Sequence, residues 1–239
     1  EIGNNMKKLI IVAVFAIFSA SSAMSASLTD ITPSVGISLN NAAFAGEGNE
    51  RVGSDTGTTQ STTDEYGAFA ETYGSIFLEA GFGDVISLGI EYVPSGISSP
   101  TNTSRESEDS SVGSNGAGNS SVSADFEDLT TVYAKINVPL GGTYLKFGFS
   151  QVDVIINDKM ESGNTYKDVD TEGYTAGIGY AHEIANGLSI RAEVAANQYD
   201  DVQTDNGVTT ASESNGGENK VIIESMWSAR GTVSLVKSF

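Results

Sequence analysis

The residues with most chemistry to offer are the charged ones, and they fall into two sets. The first is spaced singly through apolar stretches: Glu79, Glu91, Lys135, Lys146, Arg191, Glu193, Glu224 and Arg230. Four acids and four bases brought together away from water would pair, because a buried charge without a partner is costly. The chemistry expected of them is an interior salt-bridge network, not catalysis. The second set lies in polar stretches, which hold 21 of the 31 acids and only 4 of the 12 bases. Glu106, Glu108 and Asp109 cluster there, as do Asp200, Asp201 and Asp205. Hard divalent cations take oxygen ligands from such groups, so calcium or magnesium bridging is one expectation. The plainer one is a solvated, self-repelling surface. The run Asp168-Val169-Asp170-Thr171-Glu172-Gly173 echoes a calcium loop but lacks its downstream glutamate.

Other chemistries are closed off. A histidine-assisted nucleophile needs a histidine, and the single one, His182, lies beside a short turn. No HExxH or GxSxG pattern occurs. Gly177 and Gly179 alternate within a strand pattern and do not form a nucleotide loop. There is no cysteine, which excludes disulfide staples, thiolate metal sites and a lipid anchor on cysteine. The formal charge of −19 argues against nucleic acid and anionic surfaces as partners. No enzyme, cofactor, catalytic residue or metal site is expected.

The elements that position these residues begin after a processing segment. Met6-Lys7-Lys8 is a basic start, Leu9 to Phe18 is apolar, and Ser19 to Ala26 is rich in small residues. That is the pattern of a cleaved secretory signal, and its apolar run is shorter than the roughly 20 residues a membrane helix needs. Residues 1–26 are therefore assigned to upstream residues plus signal peptide, and 27–239 to one exported domain.

Within that domain eight stretches alternate with a period of two, the strand signature. In order, Val35, Ile37 and Leu39 oppose Ser34, Gly36, Ser38 and Asn40; Ile76, Leu78, Ala80 and Phe82 oppose Ser75, Phe77, Glu79 and Gly81; Ile86, Leu88, Ile90 and Tyr92 oppose Ser87, Gly89 and Glu91. Next, Val132, Ala134, Ile136 and Val138 oppose Thr131, Tyr133, Lys135 and Asn137; Leu145, Phe147 and Phe149 oppose Tyr144, Lys146, Gly148 and Ser150. Then Tyr174, Ala176, Ile178 and Tyr180 oppose Thr175, Gly177 and Gly179, and Leu188, Ile190, Ala192 and Val194 oppose Ser189, Arg191, Glu193 and Ala195. The last runs from Val221 to Phe239, with Trp227, Ala229, Val233, Leu235 and Lys237 on one side and Glu224, Arg230, Thr232 and Ser234 on the other. Every charge of the first set shares the small-and-polar side. Lys237 is the exception, at a strand end where its stem can snorkel.

Connections alternate too. Long polar loops are expected at Ala45–Thr72, Ser95–Asp128, Asn157–Thr171 and Asp200–Asn219, with short turns at Gly83-Asp84, Pro139–Gly142 and Glu183–Gly187. A hairpin hidden in the longest loops would make ten strands. Tyr73, Tyr92, Tyr174, Tyr180, Trp227 and Phe239 stand where interfacial aromatic girdles would be.

Strand length, loop asymmetry and the terminal Phe239 together resemble the small bacterial outer-membrane β-barrels, the group of the OmpA transmembrane domain, OmpX and the opacity-type surface antigens. The resemblance implies an all-β, eight-stranded, antiparallel up-and-down transmembrane barrel, located in the bacterial outer membrane after export. It implies short turns on the periplasmic side, long extracellular loops, and Phe239 as part of a signal read by the insertion machinery. An interior filled by side chains implies a plugged barrel with a structural or surface-interaction role. Its partners would be the bilayer, lipopolysaccharide, and divalent cations at the loops. A narrow porin or small-solute conduit is the alternative, and a soluble ligand-binding barrel is another.

Overall fold

The computed structural model describes residues 31–52, 61–105, 119–159, 165–206 and 219–239. Along the chain run β1 (Ile31–Val52), β2 (Ser61–Phe82), β3 (Ile86–Tyr92), β4 (Ile97–Ser98), β5 (Asn102–Arg105), β6 (Asn119–Asn137), β7 (Thr143–Lys159), β8 (Val169–Ala185), β9 (Leu188–Tyr199), β10 (Val202–Asp205) and β11 (Asn219–Ser238). Around the sheet the order is β1-β2-β3-β6-β7-β8-β9-β11, and β11 pairs back onto β1. These eight strands form a closed antiparallel ring. The three short ones are additions to it: β4 and β5 pair with β6, and β10 with β11. The segment 1–26 and the cluster Glu106, Glu108 and Asp109 lie outside the described residues.

The hairpins are longer than the expected strands. β1 and β2 stay paired through Val52↔Ser61, deep into the stretch expected to be loop. β6 and β7 stay paired up to Ser121↔Lys159. Ladder hydrogen bonds do not require an apolar face, but apolar alternation does. Once both faces are polar, the strand continues and its sequence signature stops.

At the other end the turns are tight. Gly83 and Gly187 take φ of +60° and +67°, a backbone region that glycine enters without steric cost. Ring closure is fastened there as well: the Ser238 amide donates to the Gly187 carbonyl, and the Phe239 amide to the Pro33 carbonyl. Lys237 points outward and gives its ammonium to the Asn186 carbonyl at 3.0 Å.

Which face is wet decides what the ring is for. Ile37, Leu39, Ile76, Phe147, Ile190 and Val233 all point outward and are exposed. Leu39 is 62% exposed, whereas Glu79 and Glu91, facing in, are each 3% exposed. A soluble barrel has the reverse distribution. Trp227 and Tyr174 rim the apolar belt on the long-loop side, while Tyr180 and Phe239 rim it on the other. Tyr73 departs from the girdle expected of it. It shares the parity of Ser75 and Phe77, so its ring turns inward and is buried.

Candidate functional site: the charged layer inside the barrel

Across the middle of the lumen the structure brings seven of the eight spaced charges together. Glu79 comes from β2, Glu91 from β3, Lys135 from β6, Lys146 from β7, Arg191 and Glu193 from β9, and Arg230 from β11. All seven are buried. Inward parity on each strand, repeated around a closed ring, is what converges residues so far apart in sequence.

Two linked groups form. In the first, Arg191 grips Glu79 with two parallel bonds of 2.6 and 2.8 Å. The same carboxylate accepts from Lys135 at 2.9 Å and from the Tyr133 hydroxyl at 3.0 Å. In the second, Lys146 bridges Glu91 at 2.9 Å and Glu193 at 3.2 Å. Arg230 reaches the same two carboxylates at 3.3 and 3.4 Å. Tyr144 donates to Glu193 at 3.1 Å, and Ser75 to Glu91 at 2.7 Å. Ser75 in turn accepts from Asn40, whose carbonyl accepts from Thr232. Bidentate arginine–carboxylate pairs of this kind are strong and geometrically specific. Lys135 and Lys146 stand directly opposite each other on β6 and β7. Like charges so placed repel, and each is matched to a different carboxylate.

Aromatic rings interlock the two groups. The Lys146 ammonium sits 4.2 Å from the centre of the Tyr133 ring, and Lys135 5.5 Å from that of Tyr144. Those rings need flat ground. A side chain at Gly89 would strike the Tyr133 ring, and one at Gly179 would strike Tyr144. Gly36 does the same for Phe77. The inward glycines are therefore seats for rings reaching across from the neighbouring strand, a role that parity alone does not reveal. The cavity left among these groups measures about 10 Å³.

Glu224 does not join them. Register slips between Ala45↔Trp227 and Glu47↔Glu224, so β11 carries one extra residue there. Such a bulge inverts which face the following side chains take. Glu224 consequently lies opposite Glu47, which accepts from the well-exposed Tyr66 on the outer face. A second slip, between Glu127 and Thr130 on β6, does the same for the strand above it.

Nearer the long connections, the lumen changes character. Ala42, Tyr73, Val93, Ile97, Leu129 and Val152 make a buried apolar cluster, with Phe44, Phe69, Phe126 and Tyr199 packed against it. Phe44 and Phe69 stack at 4.9 Å, and Phe126 lies 6.2 Å from Phe69.

The described acidic residues of the long connections are dispersed by comparison. Asp205 pairs with Lys167 at 3.1 Å, and Asp168 accepts from the Ile156 amide. Among the described residues no group of three or more acid or histidine side chains is close enough to hold a metal. His182 is exposed on the outer face beside the β8–β9 turn.

A closed ring of eight strands, apolar outside and charged within, has a counterpart among known families. The outer membrane protein beta-barrel domain matches residues 10–214. The chain belongs to that family. It is a bacterial outer-membrane protein, and the barrel spans that membrane with its eight ring strands. Among solved structures, OprG of Pseudomonas aeruginosa is similar at a TM-score of 0.53 and 11% identity, covering 85% of this chain and 95% of that one. The outer-membrane protease OmpT of Escherichia coli gives 0.42 and 10%, covering 86% and 97%. Ail of Yersinia pestis, solved with the heparin analogue sucrose octasulfate, gives 0.37 and 10%, covering 84% and 99%. At such identities likeness speaks of fold alone. No curated protein matches by sequence.

Proposed function

We propose that the barrel is closed to ions at its charged layer and works through its extracellular half, as a structural and surface-interaction protein. One observation carries this reading. Seven charged side chains cross-link the lumen, and the cavity among them is about 10 Å³, at the lower limit for a single water. An ion crossing there would have to break several buried ion pairs at once. Planar-bilayer recording tests it: the refolded barrel should leave the bilayer without stable channels, and steady conductance steps would overturn the closed lumen. On the outside, the acids would meet lipopolysaccharide phosphates through divalent cations shared between protein and lipid. Barrels in lipopolysaccharide vesicles should then lose proteolytic protection of their loops when chelator is added, and unchanged protection would refute the bridging.

A second reading, a conduit for small apolar solutes, rests on a different feature. β2 runs from Ser61 to Phe82, yet its ladder with β3 covers only Ile76 to Phe82, and Pro94 follows soon after β3 ends. The wall is therefore interrupted beside the apolar cluster that holds Phe69 and Val93. Solutes would enter from outside, stop at the charged layer and leave sideways into the membrane. An apolar dye should equilibrate faster into barrel-containing vesicles than into empty ones, and equal rates would remove this reading.

A further inference from the structure

β2 is bonded unequally on its two sides. On one side it pairs with β1 along its whole length, from Val52↔Ser61 to Ile31↔Phe82. On the other it pairs with β3 only from Ile76 to Phe82. Among the described residues nothing bonds to that side between Ser61 and Gly74. Beyond the break, β4 and β5 bond to β6 and do not join β2.

Register tells which backbone groups are left over. The Phe239 amide bonds to the Pro33 carbonyl, so odd-numbered residues of β1 direct their backbone groups to β11 and even-numbered ones to β2. Through the pairs Gly36↔Phe77 and Ser38↔Ser75, odd-numbered residues of β2 bond back to β1. Tyr66, Ala68 and Ala70 therefore turn both N–H and C=O to the open side. Sheet edges are normally blunted by lysine, proline or a bulge. Residues 61–74 contain neither lysine nor proline, and their ladder with β1 has no slip. They carry Asp64, Glu65 and Glu71 and no base. Asp64 and Tyr66 are exposed on the outer face, where Glu47 accepts from the Tyr66 hydroxyl. Polar side chains facing outward set this stretch above the apolar belt.

We infer that this edge takes an extended cationic segment of a partner polypeptide as an added strand. Its backbone bonds to Tyr66, Ala68 and Ala70. Its bases stand on the outer face beside Asp64 and Glu47, and its apolar residues turn inward toward Phe69. A second copy of this chain would set the same acids against each other, and like charges so placed repel. This partner class presupposes the surface-interaction role proposed above.

The test uses the full chain refolded into nanodiscs of phosphatidylcholine, a lipid without net charge. The probe is a fluorescent peptide of alternating lysine and valine, followed by anisotropy, with amide exchange at Tyr66, Ala68 and Ala70 read by NMR. The peptide should bind saturably and slow exchange at those three amides. Two versions, each N-methylated on one alternate set of backbone amides, separate strand pairing from charge attraction. At least one should bind about tenfold more weakly, as expected for lost hydrogen bonds. Ala68→Pro removes an N–H from the open side only, and it should weaken binding by a similar factor. Undiminished binding of both methylated versions to the native chain would overturn the added strand, whether or not the proline variant folds. A glutamate–valine peptide that binds as well as the lysine–valine one would overturn the cationic partner. Slow exchange at the three amides in the free chain would mean that its own connections or a second copy already cover the edge, and would sink the proposal. Bilayer conductance, which judges the closed lumen, is independent of all these outcomes.

Discussion

The two storeys of the lumen fill the same cylinder by opposite means. Nearer the short turns, three carboxylates and four cations are cross-linked by directional bonds between 2.6 and 3.4 Å. Nearer the long connections, Phe44, Phe69, Phe126 and Leu129 pack without a charge among them, and Tyr73 joins this group to Arg230 of the charged layer. Ion pairs fix angles as well as distances, so the charged storey holds its side chains in one arrangement. Apolar packing is more forgiving of shape changes, so the aromatic storey tolerates adjustment. The difference divides the lumen along its axis, with a directionally bonded charged layer nearer the short turns and an adaptable apolar one nearer the long connections.

The largest effect expected from breaking that contrast is at Glu79. Glu79→Gln would leave Arg191 and Lys135 buried with no carboxylate between them. Stranding buried partners in this way typically costs about 3–5 kcal/mol. Urea unfolding of the barrel in vesicles, followed by the compact band, should shift by that amount. A shift below about 1 kcal/mol would mean the layer is wet enough to rehydrate the stranded cations.

The aromatic storey should respond less. Phe69 is half-buried and packs against both Phe44 and Phe126, which also touch each other. Complete burial of a phenylalanine gives about 3–5 kcal/mol on truncation, so Phe69→Ala should cost about 2 kcal/mol by the same unfolding measurement. Because the charged layer is untouched, bilayer conductance should stay at zero. If Phe69→Ala opened channels while Glu79→Gln did not, the seal would lie in the aromatic storey.

How much of this could be read in the residues differs between the storeys for a physical reason. The charged layer stands at mid-membrane, where lipid outside and side chains inside enforce strict alternation. Glu79, Glu91, Lys135 and Arg191 could therefore be assigned to one face from spacing alone. Their pairing could not, since it depends on ring closure and on glycine seats such as Gly179. The aromatic storey begins where alternation breaks down. Phe126 lies above the slip between Glu127 and Thr130, and Val93 and Ile97 come from a segment interrupted by Pro94 and Gly96. The slip on β6 leaves no mark in composition. Phe44 and Phe69 fall in a stretch whose glutamates, threonines and glycines suggest a loop.

The smallest expected effect sharpens the comparison most, because it sets two glutamates of the same nominal parity against each other. Glu224 shares its strand face with Arg230 if residues are counted in twos, and the extra residue of β11 cancels that count. The carboxylate ends on the outer face, opposite Glu47 and outside the buried layer. Surface changes away from special features usually stay within about 0.5 kcal/mol, and removing one of two facing acids also relieves repulsion. Glu224→Gln should therefore unfold with the native chain or slightly later. A loss comparable to that of Glu79→Gln would place Glu224 among the buried ion pairs, and the bulge that turns it outward would have to be wrong.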